Sequence, residues 1–199
     1  MKKGKNINIY KKEYAKKTDN IKKVSVIIPN YNYECYLEER IDSILLQTYP
    51  IYELIILDDK SSDSSIKLIK NKIKSIKDID VKLIINEENS GSVFSQWQKG
   101  FKEVKGEYFW IAEADDSCDP TFLETAMQGF LDKDVVLSYT ESARIDGDNF
   151  LISKNSQDLY NIFNSDKFDK AYINDGIKEI EQVLSITNTI LNVSSVIWK

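Results

Sequence analysis

From Val24 onward the chain alternates short β-branched runs with stretches whose apolar residues recur at helical spacing, and this rhythm restricts the fold more than any other feature. Val24–Ile28 is a buried-strand run closed by Pro29, and Leu37, Ile41, Ile44 and Leu45 then mark a helix. Leu54–Leu57 is a second strand, after which Ser61, Ser62 and Asp63 offer N-caps to a helix with a stripe of Ile66, Ile69, Ile73 and Ile76. Val81–Ile85 is a third strand. Asn89-Ser90-Gly91 turns the chain into a helix expected to face inward through Val93, Trp97, Phe101 and Val104. Tyr108–Ala112 is the fourth strand, followed by a helix opening near Pro120 with Phe122, Leu123, Ala126 and Phe130, and by a fifth strand over Val135–Tyr139. Such alternation predicts an α/β fold with a mostly parallel central sheet and helices on both faces.

After Ser142 the rhythm changes. Asp146-Gly147-Asp148 reads as a tight turn between Arg144-Ile145 and Phe150–Ile152, and Asp158–Asp175 as a lid or connecting region. Gly176–Ile186 reads as a short helix and Ile190–Trp198 as a strand. No internal repeat is visible, and no linker is long enough to divide the chain.

The absence of histidine excludes a Ser-His-Asp triad, a Cys-His dyad and any zinc site built on imidazole, so carboxylates carry the chemistry. Cys35 and Cys118 form no C-x-x-C motif and are read as free thiols in a reducing, cytoplasmic setting. The net charge of −5 is unevenly placed: nine lysines crowd the first 23 residues, leaving 18 positive against 30 negative charges on Val24–Lys199. An acidic body with only Arg40 and Arg144 as arginines is a poor nucleic-acid binder. The lysine-rich segment 1–22 lacks the apolar core of a secretion signal. It reads as a solvated extension, with peripheral docking on the inner face of the plasma membrane as the alternative.

In parallel α/β sheets ligands bind beyond the carboxyl ends of the strands. Here those positions are polar: Pro29-Asn30-Tyr31-Asn32 after the first strand, Asp58-Asp59 after the second, Asn86–Gly91 after the third, and Glu113, Asp115 and Asp116 after the fourth. Crowded carboxylates repel unless a cation compensates them, and hard oxygen ligands suit magnesium, manganese or calcium. Each acidic pair alone also fits a turn or helix cap. No P-loop and no dinucleotide fingerprint is present, so a diphosphate would be held through a metal.

Val24–Asn32 (VSVIIPNYN), Glu53–Asp63 (ELIILDDKSSD), Asn89–Gly100 (NSGSVFSQWQKG) and Gly106–Asp116 (GEYFWIAEADD) resemble, in order and spacing, the signatures of family 2 glycosyltransferases with the GT-A fold. The resemblance is strong over Lys23–Tyr139 and weaker over Asn188–Lys199. It implies that Pro29, Asn30 and Tyr31 touch the base and ribose of a nucleotide-sugar donor, that Asp59 hydrogen-bonds the base with Asp58 supporting it, and that Asn89 and Gly91 line the same pocket. Asp115-Asp116 matches the DxD-like motif, which implies Asp115 on the ribose side and Asp116 on a Mn2+ or Mg2+ ion, with Asp115 and Glu113 as further metal candidates. Two departures stand out. Glu113 replaces the Asp with which the motif often begins, and Ser95–Gln98 replaces a segment that often carries an arginine.

By this resemblance the activity is inverting transfer of a sugar from a nucleotide-sugar, UDP-linked before GDP- or dTDP-linked, to a hydroxyl of a glycan, lipid-linked or protein-linked acceptor in bacterial surface glycan or protein glycosylation. The donor part is expected at about 23–140 and a partial acceptor side at about 141–199 of one domain. The family's general base follows the strand matched by Val193–Trp198, so it is expected beyond Lys199. Asp169, Asp175, Glu179 and Glu181 are read as surface charge. A non-catalytic nucleotide-binding or assembly module and a sugar-phosphate nucleotidyltransferase are the competing readings.

Overall fold

The structure, a computed structural model, describes residues 21–156, 160 and 167–199. β1 (Val24–Asn30), β2 (Glu53–Asp58), β3 (Asp80–Ile85) and β4 (Tyr108–Ile111) run parallel in a six-stranded sheet of order β3-β2-β1-β4-β8-β5, completed by β5 (Leu137–Tyr139) and β8 (Val196–Trp198). β8 is antiparallel to β4 and places Trp198 opposite Phe109, their rings stacked at 6.2 Å. The chain steps outward from β1 to β2 and β3, then returns to lay β4 on the other side of β1. In open α/β sheets ligands bind at the carboxyl ends of the strands that flank such a reversal, which here are β1 and β4.

Every residue of β1 and of β2 is buried, as their near-continuous apolar runs require of strands covered on both faces. One face packs Val26, Ile28, Leu54, Ile56 and Trp110 against Leu37, Ile41 and Ile44 of α1 (Glu34–Leu45), Ile69 of α2 (Ser65–Ile73) and Leu123 and Ala126 of α4 (Phe122–Gln128). Each fully buried aliphatic side chain of this set contributes about 1.5–3 kcal/mol. The other face carries Ile27, Ile55 and Leu57 under Val104 and Phe109.

On that second face lies α3 (Val93–Phe101), and here the expected inward stripe is displaced by one position. Val93 and Phe101 are 41% and 42% exposed and Trp97 is half-buried, whereas Gln96 and Gly100 are buried. Gly100 explains the shift. A Cβ there would stand 2.7 Å from Ile27 Cγ2 and 3.2 Å from Leu57 Cδ1, so the helix reaches this depth only through a residue without a side chain.

At the opposite, amino-terminal end of the strands Glu53 is buried for structural reasons. Its Oε1 accepts from Ser25 Oγ at 2.6 Å and from Lys105 N at 2.7 Å, while Gly106 N donates to Ser25 Oγ at 2.9 Å. Of the lysine-rich segment 1–22, Ile21 and Lys22 lie among the described residues, and Ile21 packs against the core. Lys22 Nζ donates to Tyr108 Oη at 2.8 Å and to the Phe130 carbonyl at 2.9 Å, which fastens the chain to the sheet just before β1.

Residues 139–195 form a second compact unit, separate from the one made by residues 1–138 and 196–199. Within it β6 (Arg144–Ile145) and β7 (Leu151–Ser153) make the expected hairpin, with the left-handed residue at Asn149. Part of the expected lid, 158–175, lies outside the described residues. α5 (Gly176–Glu179) runs directly into a π turn over Ile180–Leu184. The expected strand Ile190–Trp198 is shortened to β8, because Val193–Ser195 is a 3-10 turn. Among the described residues no helix is long and apolar enough to cross a membrane.

Candidate functional site

The loops after β1, β2 and β3 are stitched to one another through side chains. Asn30, buried at the end of β1, donates from Nδ2 to Asp58 Oδ2 at 2.7 Å and to Ser61 Oγ at 3.1 Å. Asp58 Oδ1 in turn accepts from Ser61 N at 2.9 Å, so its carboxylate is spent inside the fold. Asn32 adopts a left-handed φ of 59°, which directs its Oδ1 to Ser62 N at 2.7 Å. Glu34 and Asp63 then cap each other's helices: Glu34 N donates to Asp63 Oδ2, and Ser64 N to Glu34 Oε2, both at 3.0 Å.

Asp59 is the hub. Its buried Oδ1 accepts from Asn86 Nδ2 at 2.5 Å, Ser90 N at 2.9 Å and Gln96 Nε2 at 2.9 Å, and its Oδ2 accepts from Ser90 Oγ at 2.8 Å. Its main chain joins in, with Asp59 N donating to the Asn30 carbonyl at 2.9 Å and Asn89 Nδ2 donating to the Asp59 carbonyl at 3.0 Å. Asn89 Oδ1 accepts from Gly91 N at 2.7 Å, and Gly91 takes a φ of +64°. Two buried acceptors in this network, Asn30 Oδ1 and Gln96 Oε1, have no hydrogen-bond partner among the described residues. Tyr31 is exposed beside them in sequence, and Pro29 occupies the penultimate position of β1 opposite Leu57.

The acidic segment after β4 divides its three carboxylates. Glu113 Oε1 accepts from Trp97 Nε1 at 2.8 Å, so the longer side chain that replaces Asp is anchored to α3. Burial pushes the Glu113 carboxyl up to about 7, reinforced by Asp115 and Asp116 and opposed by Trp97 and Arg40. Asp115 is exposed, and its charge and hydrogen bond push the Tyr33 phenol up. Asp116 is half-buried, with its N donating to the Glu113 carbonyl at 3.3 Å. No three of these groups form a metal cage among the described residues. Asp115 and Asp116 are the groups that could hold an ion of the magnesium type, which needs only one or two carboxylates when substrate phosphates complete its shell.

A pH prediction follows from Glu113. Its folded value lies above the ordinary one, so the native state binds the proton more tightly, and stability falls as pH rises from about 4.5 to about 7. Glu113→Gln keeps an acceptor for Trp97 and removes that penalty. In metal-free buffer the variant is expected to match wild type near pH 4 and to exceed it by about 1–2 kcal/mol at pH 8, after discounting for partial solvent screening. Chemical denaturation at both pH values checks this, and equal stability at pH 8 contradicts it.

The family model described as Glycosyl transferase family 2 matches residues 25–194. The chain belongs to this family. An uncharacterized glycosyltransferase of Haemophilus influenzae is 31% identical over 190 residues, covering 82% of this chain and 75% of that protein. The putative teichuronic acid biosynthesis glycosyltransferase TuaG of Bacillus subtilis is 31% identical over 117 residues, 59% of this chain and 45% of its own length. Among solved structures, Staphylococcus aureus TarS 1-349 in complex with UDP-GlcNAc aligns with a TM-score of 0.53 at 26% identity, covering 58% of this chain and 33% of that one. The mannosyltransferase PcManGT of Pyrobaculum calidifontis, in complex with GDP-Man and Mn2+, aligns with a TM-score of 0.59 at 22% identity over 79% of this chain and 45% of its own, a likeness of fold. The chain thus spans less than half the length of TuaG and of either solved neighbour.

Of Asp169, Asp175, Glu179 and Glu181, read above as surface charge, Glu179 and Asp175 have structural partners. Glu179 accepts from Tyr172 Oη at 3.1 Å, from Asn174 Nδ2 at 2.7 Å and from Lys167 Nζ, and the lysine and amide hold its carboxyl low. Asp175 caps α5 through Lys178 N at 3.0 Å. Sequence reasoning placed Asn86 and Ser90 in the polar stretch after the third strand without a role, and gave none to Gln96, Tyr33 or Arg40. Of the last three only Arg40 left a signal: it shares the apolar stripe of α1 with Leu37, Ile41 and Ile44.

Proposed function

We propose that this chain forms the donor side of a metal-dependent, inverting glycosyltransferase of bacterial glycan synthesis, using a nucleotide-sugar with UDP favoured. The observation that carries the reading is the Asp59 network at the carboxyl edge of the parallel sheet, where loops from three strands are fixed by internal hydrogen bonds and two buried acceptors, Asn30 Oδ1 and Gln96 Oε1, lack partners. Unpaired buried acceptors cost about 1–3 kcal/mol each, a cost that the N–H donors of a bound base would recover. Likeness to TarS, whose complex contains UDP-GlcNAc, supports the uridine preference.

In this reading Pro29, Asn30 and Tyr31 border the base and ribose, Asp59 accepts from the base with Asp58 behind it, and Asn89 and Gly91 shape the pocket floor. Asp115 stands toward the ribose and Asp116 toward the metal, Mn2+ or Mg2+. When bound, such an ion neutralises the charge that grows on the departing diphosphate. Glu113, anchored to Trp97, shapes the loop instead of reaching the ion. The acceptor, a glycan or glycosylated hydroxyl, loses its proton to a carboxylate as it attacks the anomeric carbon in line, which inverts that centre. The commitment of Glu179 and Asp175 to internal contacts supports a base outside those two residues. Membrane docking through the lysine-rich start belongs to residues outside the described set.

Calorimetric titration with UDP, GDP and dTDP, with and without Mn2+, tests the proposal. UDP is expected to bind at least about tenfold more tightly with Mn2+, and Asp116→Ala is expected to abolish that gain, a loss of about 1.4 kcal/mol or more. Binding that ignores both metal and Asp116 contradicts the metal role. Silence from all three nucleotides contradicts the donor site.

A further inference from the structure

The guanidinium of Arg40 is fully buried, and none of its three nitrogens has a hydrogen-bond partner among the described residues. A buried cation in that state is expensive unless its surroundings compensate it. Those surroundings are set by what α1 touches. Arg40 lies over the Trp110 ring, with its Cζ 4.9 Å from the centroid, and Trp110 is the penultimate residue of β4, shortly before the acidic segment. One turn further along the same face, Ser43 Oγ stands 3.5 Å from Cys118 Sγ. Beyond it Gln47 Nε2 donates to Cys118 Sγ at 3.3 Å and to the Asp119 carbonyl at 2.8 Å, while Gln47 Oε1 accepts from Leu123 N at 2.8 Å. Arg40 and Ser43 on α1 and Gln47 just beyond its end fall at spacings of three and four, so one polar file meets the acidic loop on both flanks.

We propose that Arg40 is a fixed internal counter-ion of the acidic loop, lodged against Trp110 where that loop leaves the sheet, and that its charge partly offsets the negative field a metal would meet there. The metal half of this inference rests on the donor-site reading above. Burial opposes the charge on Arg40, whereas Cys118, Asp116 and Glu113 favour it. Burial pushes the Cys118 thiol up, which leaves Asp116 and Glu113 as the acidic partners of the guanidinium near neutral pH. A guanidinium stays protonated in proteins, so its charge is constant across the working pH range.

Two measurements on the full chain test the proposal. The first is the affinity for Mn2+ alone and for UDP alone in Arg40→Met and Arg40→Lys. If Arg40 is a counter-ion, Arg40→Met exposes the full negative field of the loop: Mn2+ is expected to bind about three- to tenfold more tightly and UDP without metal several-fold more weakly, with Arg40→Lys staying close to wild type. A merely structural role predicts weaker binding of both. The second is a stability cycle of Arg40→Met, Glu113→Gln and the double variant. Charge compensation predicts that Glu113→Gln recovers most of the loss caused by Arg40→Met, including the case in which Arg40→Met alone fails to fold. Unchanged or weaker Mn2+ binding in a folded Arg40→Met, or a double variant no better than Arg40→Met, overturns the proposal. A wild type that binds no Mn2+ defeats the donor-site reading instead and leaves the cycle to judge Arg40.

Discussion

Asp59→Ala is expected to destabilise the first unit by about 3–4 kcal/mol and to abolish nucleotide binding. The carboxylate accepts four hydrogen bonds, from Asn86, from the amide and hydroxyl of Ser90 and from Gln96, and it is almost wholly buried. Bonds to a charged acceptor are each worth about 1.5–3 kcal/mol, and donors left buried without a partner add their own desolvation cost. The sum is limited because Ser90 is exposed and its groups can turn to water, whereas Gln96 cannot. Asp59→Asn sharpens the test. It preserves shape but sets a donor amide among donors, so it is expected to lose about half as much stability while still failing to hold the loops after β2 and β3 together. Denaturant unfolding and calorimetry check both variants, and an Asp59→Ala protein within 1 kcal/mol of wild type would falsify the hub role.

The second large effect is on the opposite helix layer. Gly100→Val is expected to cost about 3 kcal/mol or more, because its Cβ would fall 2.7 Å from Ile27 Cγ2 and 3.2 Å from Leu57 Cδ1. Ile27 and Leu57 are fully buried in the sheet, and a γ-branch methyl so near the main chain cannot swing aside. Gly100→Ala should cost less, about 1–2 kcal/mol, since the better helix propensity of alanine offsets part of the clash. Forcing α3 away from the sheet also draws Gln96 away from Asp59 and Trp97 from Glu113, so nucleotide affinity should fall along with stability. Gly176→Ala is the control: nothing lies within 4 Å of a Cβ there, and thermal unfolding of that variant should match wild type.

α3 also shows where local reading reaches its limit. The apolar spacing of Val93, Trp97 and Phe101 pointed to one face, and the structure buries the neighbouring one through Gln96 and Gly100. A hydrophobic stripe reports what can be buried, but the sheet decides depth by contact, and here the glycine makes contact possible and the amide finds a carboxylate. The same limit separates Asp58 from Asp59. They are adjacent and alike in sequence, yet Asp58 bonds back to Asn30 and Ser61 whereas Asp59 faces the loop after β3.

The sequence by itself determined the order of strands and helices, the mostly parallel sheet and the set of polar loops at its carboxyl edge. These follow from residue periodicity and from strand-end position, which are local properties of the chain. The four ordered motifs pointed to family 2 for the same reason. Only the tertiary structure decided which carboxylates are occupied, that Glu113 answers to Trp97, and that Arg40 lies fully buried over Trp110. Those outcomes depend on partners brought together from distant parts of the chain: Asp59 with Gln96 across 37 residues and Gln47 with Leu123 across 76. A hydrogen bond or buried charge is set by angles and distances of a few ångströms, which no spacing along the chain specifies until the sheet has formed.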